Sequence, residues 1–151
     1  MNNDDRPYLV ERNPGYFEYQ LPVSVKVVID LAGRVPLLKN ERDEWELPGG
    51  KLELGETPLS TAGREVEEEL GLEAELLTGL DAVDSWVYEI FPHRHVFVVS
   101  YGARYTGARQ PRVSQEHREL GLFCYEQIAG LTMPDAYKRT IATWNARLSR
   151  G

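Results

Sequence analysis

Cysteine and histidine are scarce in this chain, positive charge is outweighed by negative, and no apolar run approaches the length of a membrane span. The single cysteine, Cys124, excludes an internal disulfide and fits a reducing compartment. Its Gly-Leu-Phe-Cys-Tyr setting reads as that of a buried, inert thiol rather than a nucleophile. The Met-Asn-Asn-Asp-Asp start is the opposite of a signal peptide, so a cytoplasmic location is expected. His93 and His95 flank Arg94 without a third convergent ligand, a poor zinc set and a plausible exposed strand end. Against 24 acidic residues stand 17 Lys and Arg, a formal charge of −7 that argues against non-specific nucleic-acid binding. The same charge repels a polyphosphate from any bare acidic site, so a cation must supply positive charge there. Repeats and low-complexity segments are absent, and 151 residues suffice for one domain but are short for two.

What is abundant is glutamate, and it is concentrated in one place. The stretch from Gly50 to Leu72 sets a glycine-rich turn before a helix carrying Glu65, Glu67, Glu68 and Glu69. At about 100° per residue, Glu65, Glu68 and Glu69 fall on one face, while Leu59, Ala62, Val66 and Leu70 gather on a neighbouring one. Thr57 is a good N-cap, Pro58 a natural first residue and Gly71 a natural stop, which predicts a helix over 58–70. Like charges at i, i+3 and i+4 near a helix C-terminus are a local cost. A hard divalent cation such as Mg²⁺, which takes carboxylate and carbonyl oxygens, reverses its sign. Gly63 inside the helix is a second local cost of up to about 1 kcal/mol relative to alanine.

These residues resemble the Nudix box, G-x5-E-x7-R-E-U-x-E-E-x-G-U with U aliphatic. Gly50, Glu56, Arg64, Glu65, Val66, Glu68, Glu69, Gly71 and Leu72 fill its nine specified positions, an agreement with a chance probability on the order of 10⁻⁷ in a chain of this length. The run WELPGGKLELGE resembles the usual lead-in to such a box. The resemblance implies an α/β fold, an α/β/α sandwich with a mixed sheet, the box helix on one face and the C-terminal helix on the other. It implies a hydrolase of a nucleoside diphosphate linked to some group X, with Mg²⁺ or Mn²⁺ as cofactor. It further implies that Glu65, Glu68, Glu69 and the Gly49 carbonyl hold metal, that Arg64 orients the acids, and that Glu56 is structural.

Around the box, residues 8–12 and 16–21 flank Asn13-Pro14-Gly15 and read as a hairpin, so 1–22 are expected to form an N-terminal extension and 23–151 the domain itself. The hairpin aromatics Tyr8, Tyr16, Phe17 and Tyr19 are expected to pack, on the domain or in a homodimer surface, with a base-stacking wall as the alternative. Residues 23–31, alternating and then continuously apolar, predict a central strand, followed by strands at 35–38, 45–47, 73–80, 82–89 and 95–105. Trp45 reads as core, and Lys51, Arg42, Arg104, Arg109 and Arg112 as cations that either meet phosphate or are solvated. The segment Ser-Gln-Glu-His-Arg-Glu looks like a loop that in some family members supplies a further glutamate, which makes Glu116, and next to it Glu119, candidates for the catalytic base beside Glu65. A short turn at 125–129 and a helix at 134–148, with Ala136, Thr140, Thr143, Trp144 and Leu148 at helical spacing, close the chain.

The expected reaction is attack of water on a phosphorus of a small-molecule nucleotide, most simply a (deoxy)nucleoside triphosphate. Tyr88 is placed like a tyrosine associated with diadenosine polyphosphate hydrolases, and Pro92 lies later than the proline associated with ADP-ribose pyrophosphatases. A nucleotide-sugar substrate, a non-hydrolytic nucleotide sensor and an isoprenoid diphosphate isomerase are the other readings. The complete set of box acids speaks against the sensor, and the apolar setting of Cys124 against the isomerase.

Overall fold

The structure is a computed structural model in which residues 9–117 and 119–150 are described. Tyr8 and the first part of the expected extension lie outside the described residues. The extension otherwise forms as a hairpin of β1 (Leu9–Asn13) and β2 (Tyr16–Tyr19), an antiparallel two-stranded sheet of its own. Tyr16 is 57% exposed, and Phe17 and Tyr19 are also largely exposed. Tyr19 ties the hairpin to β8 (Arg94–Tyr105) through a hydrogen bond between its hydroxyl and His95 Nδ1.

Strand β3 (Val23–Asp30) is the centre of the fold. It pairs in parallel with β8 (Arg94–Tyr105) and antiparallel with β6 (Gly49–Lys51), and β8 pairs antiparallel with β7 (Leu77–Phe91), giving the order β6-β3-β8-β7. A second sheet, order β5-β4-β9, combines Trp45–Glu46 (β5), Arg34–Lys39 (β4) and Glu119–Cys124 (β9) in antiparallel pairs. Val25, Val27 and Ile29 of β3 pack with Ala62, Val66 and Leu70 of helix α1 (Pro58–Leu70), whereas Val28 packs with Tyr137, Ile141 and Trp144 of helix α2 (Asp135–Arg150). Successive side chains of a strand point to opposite faces, so the two helices cover opposite sides of a mixed sheet. Burial on both faces is the reason the second half of β3 is continuously apolar.

The two strands expected at 73–80 and 82–89 are one long strand, β7, preceded by a 3₁₀ turn at Ala74–Leu76. Register shifts at Thr78/Asp81 and Ala82/Asp84, with Gly79 at φ +67°, absorb the polar and glycine residues that look like breaks. Helix α1 has the expected bounds. Thr57 and Ser60 form a reciprocal capping box, and Gly71 ends the helix in the left-handed region at φ +70°. Leu59 is 46% exposed rather than core, while Ala62, Val66 and Leu70 are fully buried. Gly63 has a packing reason, since a Cβ there would stand 3.1 Å from the Ala74 Cβ. The buried face of α2 is turned toward Tyr137 and Ile141, with Thr140 and Trp144, away from Ala136 and Thr143. Cys124 is free and half-buried on β9. Among the described residues no helix is long and apolar enough to cross a membrane.

Candidate active site

The turn at Pro48-Gly49-Gly50 brings β6 against β3, with Gly49 paired to Lys26 and Gly50 to Val25. Gly49 is required by close approach to backbone, and Gly50 lies close against the Glu65 carboxylate. Gly49 has φ +149°, and a Cβ on it would lie 2.0 Å from the Val25 carbonyl oxygen. A Cβ on Gly50 would lie 2.3 Å from Glu65 Oε1. The turn backbone is thus in van der Waals contact with both the central strand and the acid-bearing helix. Gly49→Ala cannot be accommodated by rotating a side chain and is expected to cost about 3 kcal/mol or more, lowering the melting temperature by roughly 6–12 °C. A thermal melt within 2 °C of wild type would contradict this packing.

Arg64 holds the acids in place. Its Nε and Nη2 donate to the two oxygens of Glu56 (2.7 and 3.0 Å), Nη1 to Glu65 Oε1 (2.9 Å) and Glu68 Oε2 (3.1 Å), and Nη2 to the Lys51 carbonyl (3.2 Å). A planar guanidinium with five donors can span three carboxylates in this way. Glu56 also accepts from the Glu53 backbone N–H and the Thr61 hydroxyl. The Arg64 hydrogen bond first, then that backbone N–H, hold the Glu56 carboxyl down at about 2. Glu56 is thus engaged in holding Arg64 and the loop before α1.

The three acids on the helix face differ sharply in environment. The Glu68 side chain is 58% exposed and that of Glu65 12%. Glu69 is the most buried of them, its side chain only 5% exposed. Glu69 sits between the apolar positions Val66 and Leu70, so its face turns inward, and Gly49 N–H donates to its Oε1 at 2.6 Å. Burial pushes the Glu65 carboxyl up, with Arg64 opposing. Burial likewise pushes the Glu69 carboxyl well up, against the Gly49 N–H, Lys26 and His117.

A raised carboxyl favours the protonated folded state. Its contribution to stability is fully present below the ordinary value of 4.5 and is lost as pH rises through the raised one. Glu69→Gln is therefore expected to raise the melting temperature of the metal-free protein at pH 8 by roughly 2–4 °C and to leave it nearly unchanged at pH 4.5. It should also abolish any thermal gain from added Mg²⁺. Melts of both proteins at the two pH values, with and without Mg²⁺, check this.

Two further residues reach this cluster that the sequence did not single out. His117 places Nε2 3.0 Å from Glu46 Oε1 and Nδ1 3.3 Å from Glu69 Oε2, the latter outside hydrogen-bonding geometry. Its hydrogen bond to Glu46 raises its pKa against desolvation, and Glu69 adds to the rise. Burial would raise Glu46, but His117, Lys26 and Asn40 together hold it low. Lys26, half-buried on β3, donates Nζ to the Leu47 carbonyl at 3.3 Å within the field of Glu46, Glu69 and Glu65. The signal for Lys26 was a lone cation in an otherwise apolar strand, Val-Ser-Val-Lys-Val-Val-Ile-Asp. His117 carried no such signal beyond its place next to Glu116.

Other expected residues stand elsewhere. Glu116 is exposed, with no hydrogen bond or ion pair to the acid cluster, and Glu119 is exposed on β9 opposite Lys39. Arg42 pairs with Glu44, Arg109 pairs with Glu73, and the Arg112 side chain packs on Gly71. His95 bonds Glu89 at 2.8 Å, and Trp45 is core, edge-on to Phe123.

Among the described residues, no three carboxylate or imidazole groups converge as a ready ligand set. The donor chemistry nevertheless fits a hard divalent cation. Among the described residues, Glu65 keeps Oε2 and Glu68 keeps Oε1 without a hydrogen-bond partner, carboxylate oxygens of the kind a hard cation takes. Gly49 is shown presenting its N–H to Glu69, and its carbonyl remains an expected ligand.

A family model of the NUDIX domain matches residues 19–144. The chain is similar to the putative mutator protein MutT4 of Mycobacterium tuberculosis, 36% identical over 110 residues that make up 73% of this chain and 42% of that protein. It is also similar to the ADP-ribose pyrophosphatase of Bacillus subtilis, 36% identical over 116 residues, 75% of this chain and 55% of that protein. The chain thus spans about half the length of these two curated relatives. Among solved structures, a C. elegans Ap4A hydrolase binary complex superposes with a TM-score of 0.76 at 20% identity, covering 87% of this chain and 100% of that one, and shows a common fold. The E. coli dihydroneopterin triphosphate pyrophosphohydrolase gives a TM-score of 0.68 at 28% identity, covering 79% and 91%.

Proposed function

The chain belongs to the Nudix domain family, and from that premise we propose that it is a pyrophosphohydrolase that cleaves the diphosphate linkage of a nucleoside diphosphate joined to a group X. The observation that carries this reading is the single guanidinium of Arg64 spanning Glu56, Glu65 and Glu68, with Glu69 bound to the Gly49 N–H. Such an arrangement holds several carboxylates in fixed positions on one helix face, beside a backbone turn that nothing larger than glycine can form. Glu65, Glu68, Glu69 and the Gly49 carbonyl would hold Mg²⁺ or Mn²⁺. When bound, the cation lowers the pKa of water and offsets charge on the phosphate oxygens.

The residues of the chain supply the rest. Glu65, pushed up by burial and with one oxygen unengaged, is the best placed of the three candidate bases, since Glu116 and Glu119 stand outside the cluster. Water oxygen bonds to one phosphorus, the bond from that phosphorus to the bridging oxygen breaks, and the water proton passes to the carboxylate. The bridging oxygen leaves with the second phosphate. The products are a nucleoside monophosphate and phosphorylated X, or pyrophosphate from a triphosphate.

A (deoxy)nucleoside triphosphate or related nucleotide is the proposed substrate class, and the cytoplasm the proposed location. The test is phosphate and pyrophosphate release, with Mg²⁺, from nucleoside triphosphates, oxidised dGTP, ADP-ribose, a nucleotide sugar and a diadenosine polyphosphate. Turnover of one class names the substrate. Metal-dependent binding without turnover of any of them would replace the hydrolase with a nucleotide sensor.

A further inference from the structure

An ammonium in the middle of a buried strand needs a physical reason. Lys26 is flanked on β3 by Val25, Val27 and Val28, all fully buried, and its stem lies directly under Gly49, with Cδ 2.9 Å from where a Gly49 Cβ would be. Desolvation works against its charge, but Tyr137, Glu46, Glu69 and Glu65 around it more than restore it. The ammonium has three N–H donors. Its one hydrogen bond among the described residues is to the Leu47 carbonyl, and Nζ also stands 6.0 Å from the centre of the Tyr137 ring. Two donors are left on a half-buried cation that stands in the field of the acids and near the Tyr137 ring. A scaffolding cation would be expected to complete its bonds with the nearby carboxylates.

We propose that Lys26 is a substrate-binding residue of this site, its ammonium taking a non-bridging oxygen of the substrate's diphosphate while it competes, as a like charge, with the divalent cation held by Glu65 and Glu69. This rests on the proposed hydrolase reading for the identity of the ligand and on the position of Lys26 for the role. Coulomb's law gives the role a signature that scaffolding cannot imitate. Removing one positive charge makes the acids more attractive to a metal and the cleft less attractive to phosphate, two effects of opposite sign. Damage to the fold would weaken both.

Lys26→Met keeps the length of the stem and suits an apolar strand, and Lys26→Gln serves the same purpose with a polar end. Two binding measurements on each variant decide, both made without turnover. Mn²⁺ titration of the free protein is expected to tighten several-fold. Calorimetric binding of inorganic pyrophosphate with Mg²⁺ is expected to weaken about tenfold, the loss of one charge-assisted hydrogen bond. On whichever substrate the wild type turns over, KM should rise about tenfold with kcat within about threefold, the pattern of a contact made equally in ground and transition states. Lys26→Arg, which keeps the charge, should hold both affinities within about threefold. Parallel weakening of metal and pyrophosphate binding, or pyrophosphate affinity unchanged in Lys26→Met and Lys26→Gln, overturns the proposal. Opposite shifts in a wild type that hydrolyses nothing would uphold Lys26 and remove the hydrolase reading instead.

Discussion

Glu68→Gln is expected to lower kcat by about a thousandfold or more while leaving the melting temperature within about 2 °C of wild type. The two halves of that expectation come from the same observation. Glu68 is the open acid of the cluster, with more than half of its side chain in solvent, so its replacement removes no buried partner. Arg64 keeps its bonds to the two oxygens of Glu56, to Glu65 and to the Lys51 carbonyl. Gln has nearly the same volume and can still accept from Nη1. What it cannot do is contribute negative charge to a hard cation, whose affinity follows the number of carboxylates presented to it. The fall should appear in kcat and in Mg²⁺ or Mn²⁺ affinity, measured by steady-state turnover and by metal titration. Activity within tenfold of wild type would separate Glu68 from the reaction.

Arg64→Lys separates positioning from charge. An ammonium keeps the positive sign but reaches as a point, with three donors that rotate, whereas the guanidinium makes fixed contacts to Glu56, Glu65, Glu68 and the Lys51 carbonyl at once. Loss of two or three of these bonds, at about 1 kcal/mol each, is expected to lower the melting temperature by roughly 4–12 °C. Turnover should fall at least a hundredfold, because Glu65 is no longer held at its place against Gly50.

The acid limb of stability should change as well. Glu56 is held at about 2, below its ordinary 4.5, so the stability it lends is present above pH 4.5 and is lost as pH falls toward 2. In Arg64→Lys the Glu56 carboxyl rises toward its ordinary value, and the fall in stability across that window becomes shallower. Denaturant melts of the two proteins between pH 2 and 5 (roughly the window set by these values) measure it. An unchanged acid limb would mean that the Glu53 N–H and Thr61, rather than Arg64, set the Glu56 carboxyl.

Much of this chain is decided locally and is therefore legible along the sequence. Helix α1 begins and ends where Thr57, Pro58 and Gly71 say it must, because capping and a left-handed stop depend on neighbours within four residues. The clamp of Arg64 on Glu65 and Glu68 is equally local, lying within a single helical turn. The spacing of Glu65, Glu68 and Glu69 set them on one face, and the run of valines in β3 marked a strand covered on both sides. The sequence alone thus determined the acid-bearing helix, the turn before it and the central strand.

Tertiary structure decided which of those acids is buried, what stands beside them, and which distant loop reaches them. Glu69 finds a partner in its buried place because β6 and β3 bring the Gly49 N–H to it, twenty residues away along the chain. His117, rather than Glu116, reaches the cluster because the loop before β9 sets the histidine between Glu46 and Glu69, a contact spanning 71 residues to Glu46. Lys26 belongs to the site only through the pairing of β3 with β6. The joining of two expected strands into β7 likewise needed its partner β8, whose ladder carries the strand through bulges that look like breaks when read alone. In each case the deciding free energy is a contact between residues far apart in sequence. Hydrogen bonds and burial supply it only after the chain has closed the loop between them, so composition and periodicity carry no record of it.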